Sequence, residues 1–118
     1  MAKILVVDDE LEILSLLETF LKAKGFDAVT TDSGEKALEM ITQDESLDLI
    51  ILDVRMPRVS GADILNAMKE KGIKTPVIIL TGSLGEETKR LVANDYLMKP
   101  VDLKELYNKV NEWVKKGT

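Results

Sequence analysis

The 118-residue sequence contains no cysteine and no histidine. Without cysteine there is no disulfide, no thiolate nucleophile and no thiolate metal site. Without histidine there is no Ser-His-Asp triad, no imidazole ligand for a metal, and no phosphohistidine on this chain. No apolar run approaches the roughly 18 residues of a membrane span. At the N-terminus the run Ile4-Leu5-Val6-Val7 is too short for a signal peptide, and no cleavage site follows it. Excess basic charge is missing as well. Lys and Arg total 16 against 21 Asp and Glu, a net charge of −5, which argues against a direct nucleic-acid role.

What is present fits a folded domain. Hydrophobic residues make up 45% and charged residues 31%, and a chain of this size buries roughly two-thirds of its unfolded surface without a metal or disulfide staple. The expectation is one cytoplasmic, monomeric domain over residues 1–118, with no second domain after the last helix. Two kinds of segment alternate along it. Short apolar, β-branched segments lie at Lys3–Val7, Asp27–Thr31, Leu49–Leu52 and Pro76–Leu80, with a weaker one at Tyr96–Met98. Three of them contain unbroken apolar runs, which need cover on both faces and so read as central strands of a parallel sheet. Between them, helical spacing predicts helices over Glu10–Lys24, Glu35–Thr42, Ala62–Lys71, Glu86–Ala93 and Leu103–Lys116. Gly25 and Gly72 stop the first and third. Strand-helix alternation repeated in this way implies right-handed crossovers and an α/β, doubly wound sheet flanked by helices on both faces.

The polar residues that end the strands carry the chemistry. The first strand ends in Asp8-Asp9, the third in Asp53, the fourth in Thr81 and the fifth in Lys99-Pro100. Parallel strands place all these ends along one edge, where ligands bind. If the first and third strands are neighbours, Asp8, Asp9 and Asp53 converge, and carboxylates that close repel one another unless a cation sits between them. An all-oxygen donor set selects a hard ion, Mg²⁺ or Mn²⁺. Such an ion takes only a couple of carboxylates, leaving one free to attack phosphorus and form an acyl phosphate. Asp53, single and at the end of a buried strand, is the candidate. Lys99 offers a point charge and Thr81 a hydroxyl for the transferring group, and small Gly82 leaves room for it.

Blander readings exist for the same residues. Asp9 with Glu12, and Asp32 with Glu35, have the spacing of capping boxes. Asp53 could merely start an Asx turn before Met56-Pro57. Lys99 could reach to solvent and Tyr96 could simply pack. Met40, Met56, Met68 and Met98 read as core or gap-filling residues, Trp113 as partly buried, and Glu86-Glu87 as part of a solvated face.

In Val-Val-Asp-Asp-Glu (6–10), Leu-Asp-Val-Arg-Met-Pro-Arg-Val-Ser-Gly (52–61), Leu-Thr-Gly (80–82) and Tyr-Leu-Met-Lys-Pro-Val-Asp (96–102), the chain resembles the receiver domains of two-component response regulators. The resemblance covers nearly the whole chain. It implies a CheY-like, flavodoxin-like sheet of order 2-1-3-4-5 and a phosphoryl-accepting switch rather than an enzyme, with only self-directed phosphotransfer and autodephosphorylation. Asp53 would be the phosphoacceptor, supplied by a phosphohistidine on a sensor histidine kinase or histidine phosphotransfer protein. Asp8, Asp9, Asp53 and the backbone carbonyl of Arg55 would hold Mg²⁺. Lys99, Thr81 and Gly82 would contact the phosphoryl group. Thr81 and Tyr96 would be the switch residues, and the bond before Pro100 would be cis. Arg55, Gly82 and Ser83 would line the approach of water. The signal would pass to a downstream protein target through the surface of the fourth helix, fifth strand and fifth helix, without nucleic acid or membrane.

One departure stands out: the segment between Thr81 and Lys99 is shorter than the family's by roughly one helical turn. The fourth helix is therefore expected to be short, displaced or weakly formed, and a degenerate receiver that acts only as an interaction module is the alternative. A phosphatase of the haloacid-dehalogenase type would need a second Asp where Arg55 stands. A flavin carrier would need a phosphate loop where Asp8-Asp9-Glu10 would repel the phosphate.

Overall fold

The apolar segments form β1 (Lys3–Val7), β2 (Asp27–Thr31), β3 (Leu49–Asp53), β4 (Val77–Thr81) and β5 (Asp95–Met98) of a single parallel sheet. The structure, a computed structural model, describes residues 1–82 and 85–116, and the side chains of residues 86, 87 and 116 fall outside that description. The strand order is β2-β1-β3-β4-β5. The order places the runs of β1, β3 and β4 in the interior, and residues 4–7, 49–52 and 77–80 are all buried. The helices are α1 (Leu11–Ala23), α2 (Gly34–Gln43), α3 (Gly61–Lys71), α4 (Glu86–Lys89) and α5 (Leu103–Lys116).

Successive strand residues point to opposite faces, and the core splits accordingly. Ile4, Val6, Leu49, Ile51, Ile78 and Leu80 pack with Leu14, Leu17 and Leu21 of α1 and Leu106 and Val110 of α5. Leu5, Val7, Ile50, Leu52, Val77 and Ile79 pack with Ala37 and Ile41 of α2 and Ile64 and Met68 of α3. The doubly wound α/β sheet read from the sequence is the fold observed.

Several local expectations change. Ser33, not Asp32, caps α2 by accepting the Lys36 N–H. The α1 N-cap is Glu10, with no side-chain cap, so the Asp9–Glu12 box does not form. The capping box that does form is Ser60 with Asp63 at the start of α3. Its neighbour Gly61 is required there: a Cβ would stand 2.9 Å from the Asp53 carbonyl oxygen. Met98 is half-exposed rather than core. Trp113 is partly buried, and its indole N–H donates to Asp95 Oδ2 at 2.9 Å.

α4 is a single turn, as short as the departure from the family suggested, and it ends before the Ala93 bound read from the sequence. The chain must return from the carboxyl end of β4 to its amino end, where Asn94 N–H donates to the Val77 carbonyl at 3.0 Å and Asn94 Oδ1 accepts the Val77 N–H at 2.8 Å. A helix running to Ala93 would leave Asn94 alone to cross from the helix layer to the sheet, with a reach of at most about 3.6 Å. Ending the helix at Lys89 frees residues 90–93 for that crossing.

Candidate functional site

Register builds the site. Val7 of β1 is paired with Leu52 of β3, so the next residues, Asp8 and Asp53, emerge side by side. They share the face of Val6 and Ile51 by strand alternation. Thr81 is paired with Met98 across β4 and β5, and the Lys99 N–H donates to the Thr81 carbonyl at 2.8 Å. Lys99 therefore leaves the sheet at the same edge. Its ammonium lies 2.9 Å from Asp8 Oδ2, 3.1 Å from Glu10 Oε1 and 3.6 Å from Asp53 Oδ2. Lys99 does not run out to solvent; it bridges the carboxylates.

Both inner carboxylates are well buried, Asp8 at 0% and Asp53 at 6% exposure. Each also closes a local turn: Asp8 Oδ1 accepts the Glu10 N–H at 2.9 Å, and Asp53 Oδ1 accepts the Arg55 N–H at 3.2 Å. The Asx turn expected at Asp53 is therefore present. Burial pushes the Asp53 carboxyl up to about 6, and the charge of Asp8 adds to the rise. The Arg55 N–H and the Lys99 ammonium pull the other way. For Lys99, burial lowers the ammonium's affinity for its proton, but hydrogen bonding to Asp8 and Glu10 outweighs it and the net shift is upward. The Lys99 ammonium, at 2.9 Å, is the partner of the buried Asp8 Oδ2.

Carboxylate oxygens of Asp8, Asp9 and Glu10 lie within 4.8 Å of one another, and these residues form the metal-capable cluster among the described residues. Glu10 enters this cluster from the start of α1, and Asp53, also expected at the ion, stands beside it, its Oδ2 3.6 Å from the Lys99 ammonium that also meets Asp8 and Glu10. In the sequence Glu10 stands in the Val-Val-Asp-Asp-Glu motif and opens the first helix, with no ligand role assigned to it. Its signal was there, since a third acid directly after Asp8-Asp9 cannot leave the sheet edge. The donor set is hard oxygen throughout, which fits Mg²⁺ or Mn²⁺.

The other expected residues divide. Gly82 faces open space, where a Cβ would meet nothing within 4 Å. The Lys99–Pro100 bond is cis. Thr81 is buried, with its hydroxyl 3.3 Å from that of Thr88 on α4. The Tyr96 ring packs against the core beside α2 and α3, and its hydroxyl donates to the Leu91 carbonyl. Ser83 lies outside the described residues. A groove of about 730 Å³ opens elsewhere, between α3 and residues 90–94. None of Asp8, Asp9, Glu10, Asp53 and Lys99 lines it.

The chain spans about half the length of the curated relatives it matches. The transcriptional regulatory protein CpxR of Escherichia coli K12 is 42% identical over 115 residues, covering 93% of this chain and 48% of that protein. Among solved structures, the receiver domain of Francisella response regulator 1452 superposes with a TM-score of 0.92 at 32% identity, over the full length of both chains. The receiver domain of a Pseudomonas aeruginosa sensor histidine kinase, solved with a magnesium ion in its active-site cleft, gives a TM-score of 0.88 at 26% identity, covering 97% of this chain and 98% of that one. No helix among the described residues is long and apolar enough to cross a membrane. A family model of the response regulator receiver domain matches residues 4–111, and on fold, strand-end residues and these likenesses together, the chain belongs to that family.

Proposed function

We propose that Asp53 is the phosphoacceptor of a signalling switch. The observation that carries this reading is a nearly buried carboxylate at the open edge of a parallel sheet, with an ammonium 3.6 Å away and open space beyond Gly82. An Asp53 oxygen attacks phosphorus, the new O–P bond forms as the donor's N–P bond breaks, and the leaving imidazole takes up a proton. The donor is a phosphohistidine on a sensor kinase or phosphotransfer protein, since this chain has no histidine. A small acyl phosphate serves equally, with acetate leaving. Lys99 meets the charge gathering on the transferred group, and the Thr81 hydroxyl offers it a hydrogen bond. Asp8, Asp9 and Asp53 with the Arg55 carbonyl would hold Mg²⁺, or Mn²⁺, which supplies charge neutralisation at the phosphoryl oxygens when bound. Glu10 stands close enough to join them through water.

The phosphoryl group is received on the chain's own Asp53 rather than passed to a separate substrate, so the chain is a regulatory acceptor rather than a turnover enzyme. Phosphorylation adds charge that Lys99 and Thr81 contact in one state only, and this biases an existing equilibrium at the surface of α4, β5 and α5. A downstream protein reads that surface. The test is acetyl phosphate with Mg²⁺, followed by intact mass. One added phosphoryl group is expected on the parent chain and none on Asp53→Asn; equal labelling of the two rejects the site. The single turn of α4 favours one second reading, a module that accepts phosphate without moving its surface. Amide shifts confined to the carboxylate edge on adding a phosphoryl mimic would support it.

A further inference from the structure

Two side chains at the β4–β5 end hold the same short stretch of chain. Thr81 continues the row of Val77 and Ile79 on the α2 and α3 face, and its hydroxyl lies 3.3 Å from that of Thr88. Both threonines are buried. Three residues on, the Leu91 N–H donates to the Thr88 carbonyl at 3.0 Å, and the Leu91 carbonyl accepts from the Tyr96 hydroxyl. Thr88 is the one buried residue described in α4. Threonine is a poor choice there on propensity alone, since it is neither a strong helix former nor apolar. A buried hydroxyl needs a partner, and Thr81 supplies one.

We infer that Thr88 is a positioning residue for the phosphoryl switch: its hydroxyl holds Thr81 toward α4 and must release it before Thr81 can bond a phosphoryl group on Asp53. The inference rests on the phosphoacceptor reading of Asp53 and extends it to a residue outside the carboxylate edge. Thr81 is β-branched, so its hydroxyl moves between discrete rotamers rather than drifting. In one rotamer it bonds Thr88. In another it faces the end of β3. Because a buried hydroxyl is costly to leave unbonded, one partner is exchanged for the other. Release of Thr88 frees α4 and, through Leu91, the segment that Tyr96 grips. The bond at Thr88 therefore opposes phosphorylation and transmits it.

The experiment titrates the full chain with beryllofluoride and Mg²⁺, following amide shifts near Asp53. Thr88→Val keeps the shape and removes the hydroxyl. It is expected to tighten mimic binding about fivefold, roughly the factor one ordinary hydrogen bond represents. Thr88→Ser should return affinity to the parent value. In a Thr81→Val background, Thr88→Val should change nothing. Thermal unfolding of each variant confirms that it is folded, and Thr88→Ala, which also removes the hydroxyl, carries the comparison if the valine variant is not. Unchanged affinity in Thr88→Val overturns the inference. So does tightening that persists without the Thr81 hydroxyl, because the effect then bypasses Thr81. Failure of the parent chain to bind the mimic, or retention of binding by Asp53→Asn, instead overturns the phosphoacceptor reading and the inference with it.

Discussion

The two halves of the sheet's carboxyl edge are built differently. On the β1–β3 side, Asp8 and Asp53 stand on central strands whose flanking residues are completely buried, with α1, α3 and α5 packed around them. On the β4–β5 side, Thr81 and Tyr96 reach into a segment with one helical turn, and Val92 within it is 90% exposed. The first half is a fixed template held by apolar contacts. Among the described residues, the second is tied by hydrogen bonds among Thr81, Thr88, Leu91 and Tyr96, with Ala93 and Tyr96 packed against the core. Chemistry needs the former, because charges must be placed to a fraction of an ångström. A change of surface needs the latter, because only weakly held segments move at small free-energy cost.

This contrast can be broken in order of effect. Ile51→Ala, in the template, should cost about 3–4 kcal/mol in urea unfolding, as buried large-to-small changes do. A loss below about 1 kcal/mol would mean the template is not rigid. Asp53→Asn should act in the opposite sense on the Mg²⁺-free protein. The folded-state value of Asp53 is raised to about 6, so the folded chain binds the proton more tightly than the unfolded chain. Parent stability should therefore fall as pH rises from about 4 to about 6, and stay low above that. The asparagine variant escapes this, and should be more stable by about 2–3 kcal/mol at pH 7 but equal to the parent below about pH 4. A constant difference across that window would assign the gain to something other than the buried charge. Added Mg²⁺ should shrink it by stabilising only the parent.

Smaller effects belong to the other half. Tyr96→Phe removes the bond to the Leu91 carbonyl and should cost about 1 kcal/mol. Its larger signature is local, with faster amide exchange at residues 88–94 and unchanged exchange in β1 and β3. Uniform acceleration would show that the two halves unfold together. Val92→Ser should lie within about 0.5 kcal/mol of the parent, and a larger loss would place Val92 in a contact.

Legibility followed the same division. Unbroken apolar runs announce central strands, and a polar residue ending such a run lands at the sheet edge wherever it pairs. Asp8, Asp53, Thr81 and Lys99 were therefore readable. Caps were less so: Asp32 and Ser33 are both good caps, and only the entry direction of α2 selects Ser33. The end of α4 was illegible because residues 86–93 carry no stop signal. It is set by Asn94, which must reach Val77 on the neighbouring strand. Thr88 was unreadable for a related reason. Its partner is seven residues earlier, in a strand, and no periodicity links them.

Local order and chemistry were written in one dimension, as apolar runs of four residues, acids at their ends and no histidine to donate phosphate from within. Which acid faces which depended on strand register, and register is settled only when both faces of the sheet are covered. Lys99 illustrates the limit. Alone it is a flexible cation that water solvates well, and only the packing of β4 against β5 carries it to within 2.9 Å of a buried Asp8. Distances between side chains remote in sequence are a property of the packed core, because that core alone removes the competing water.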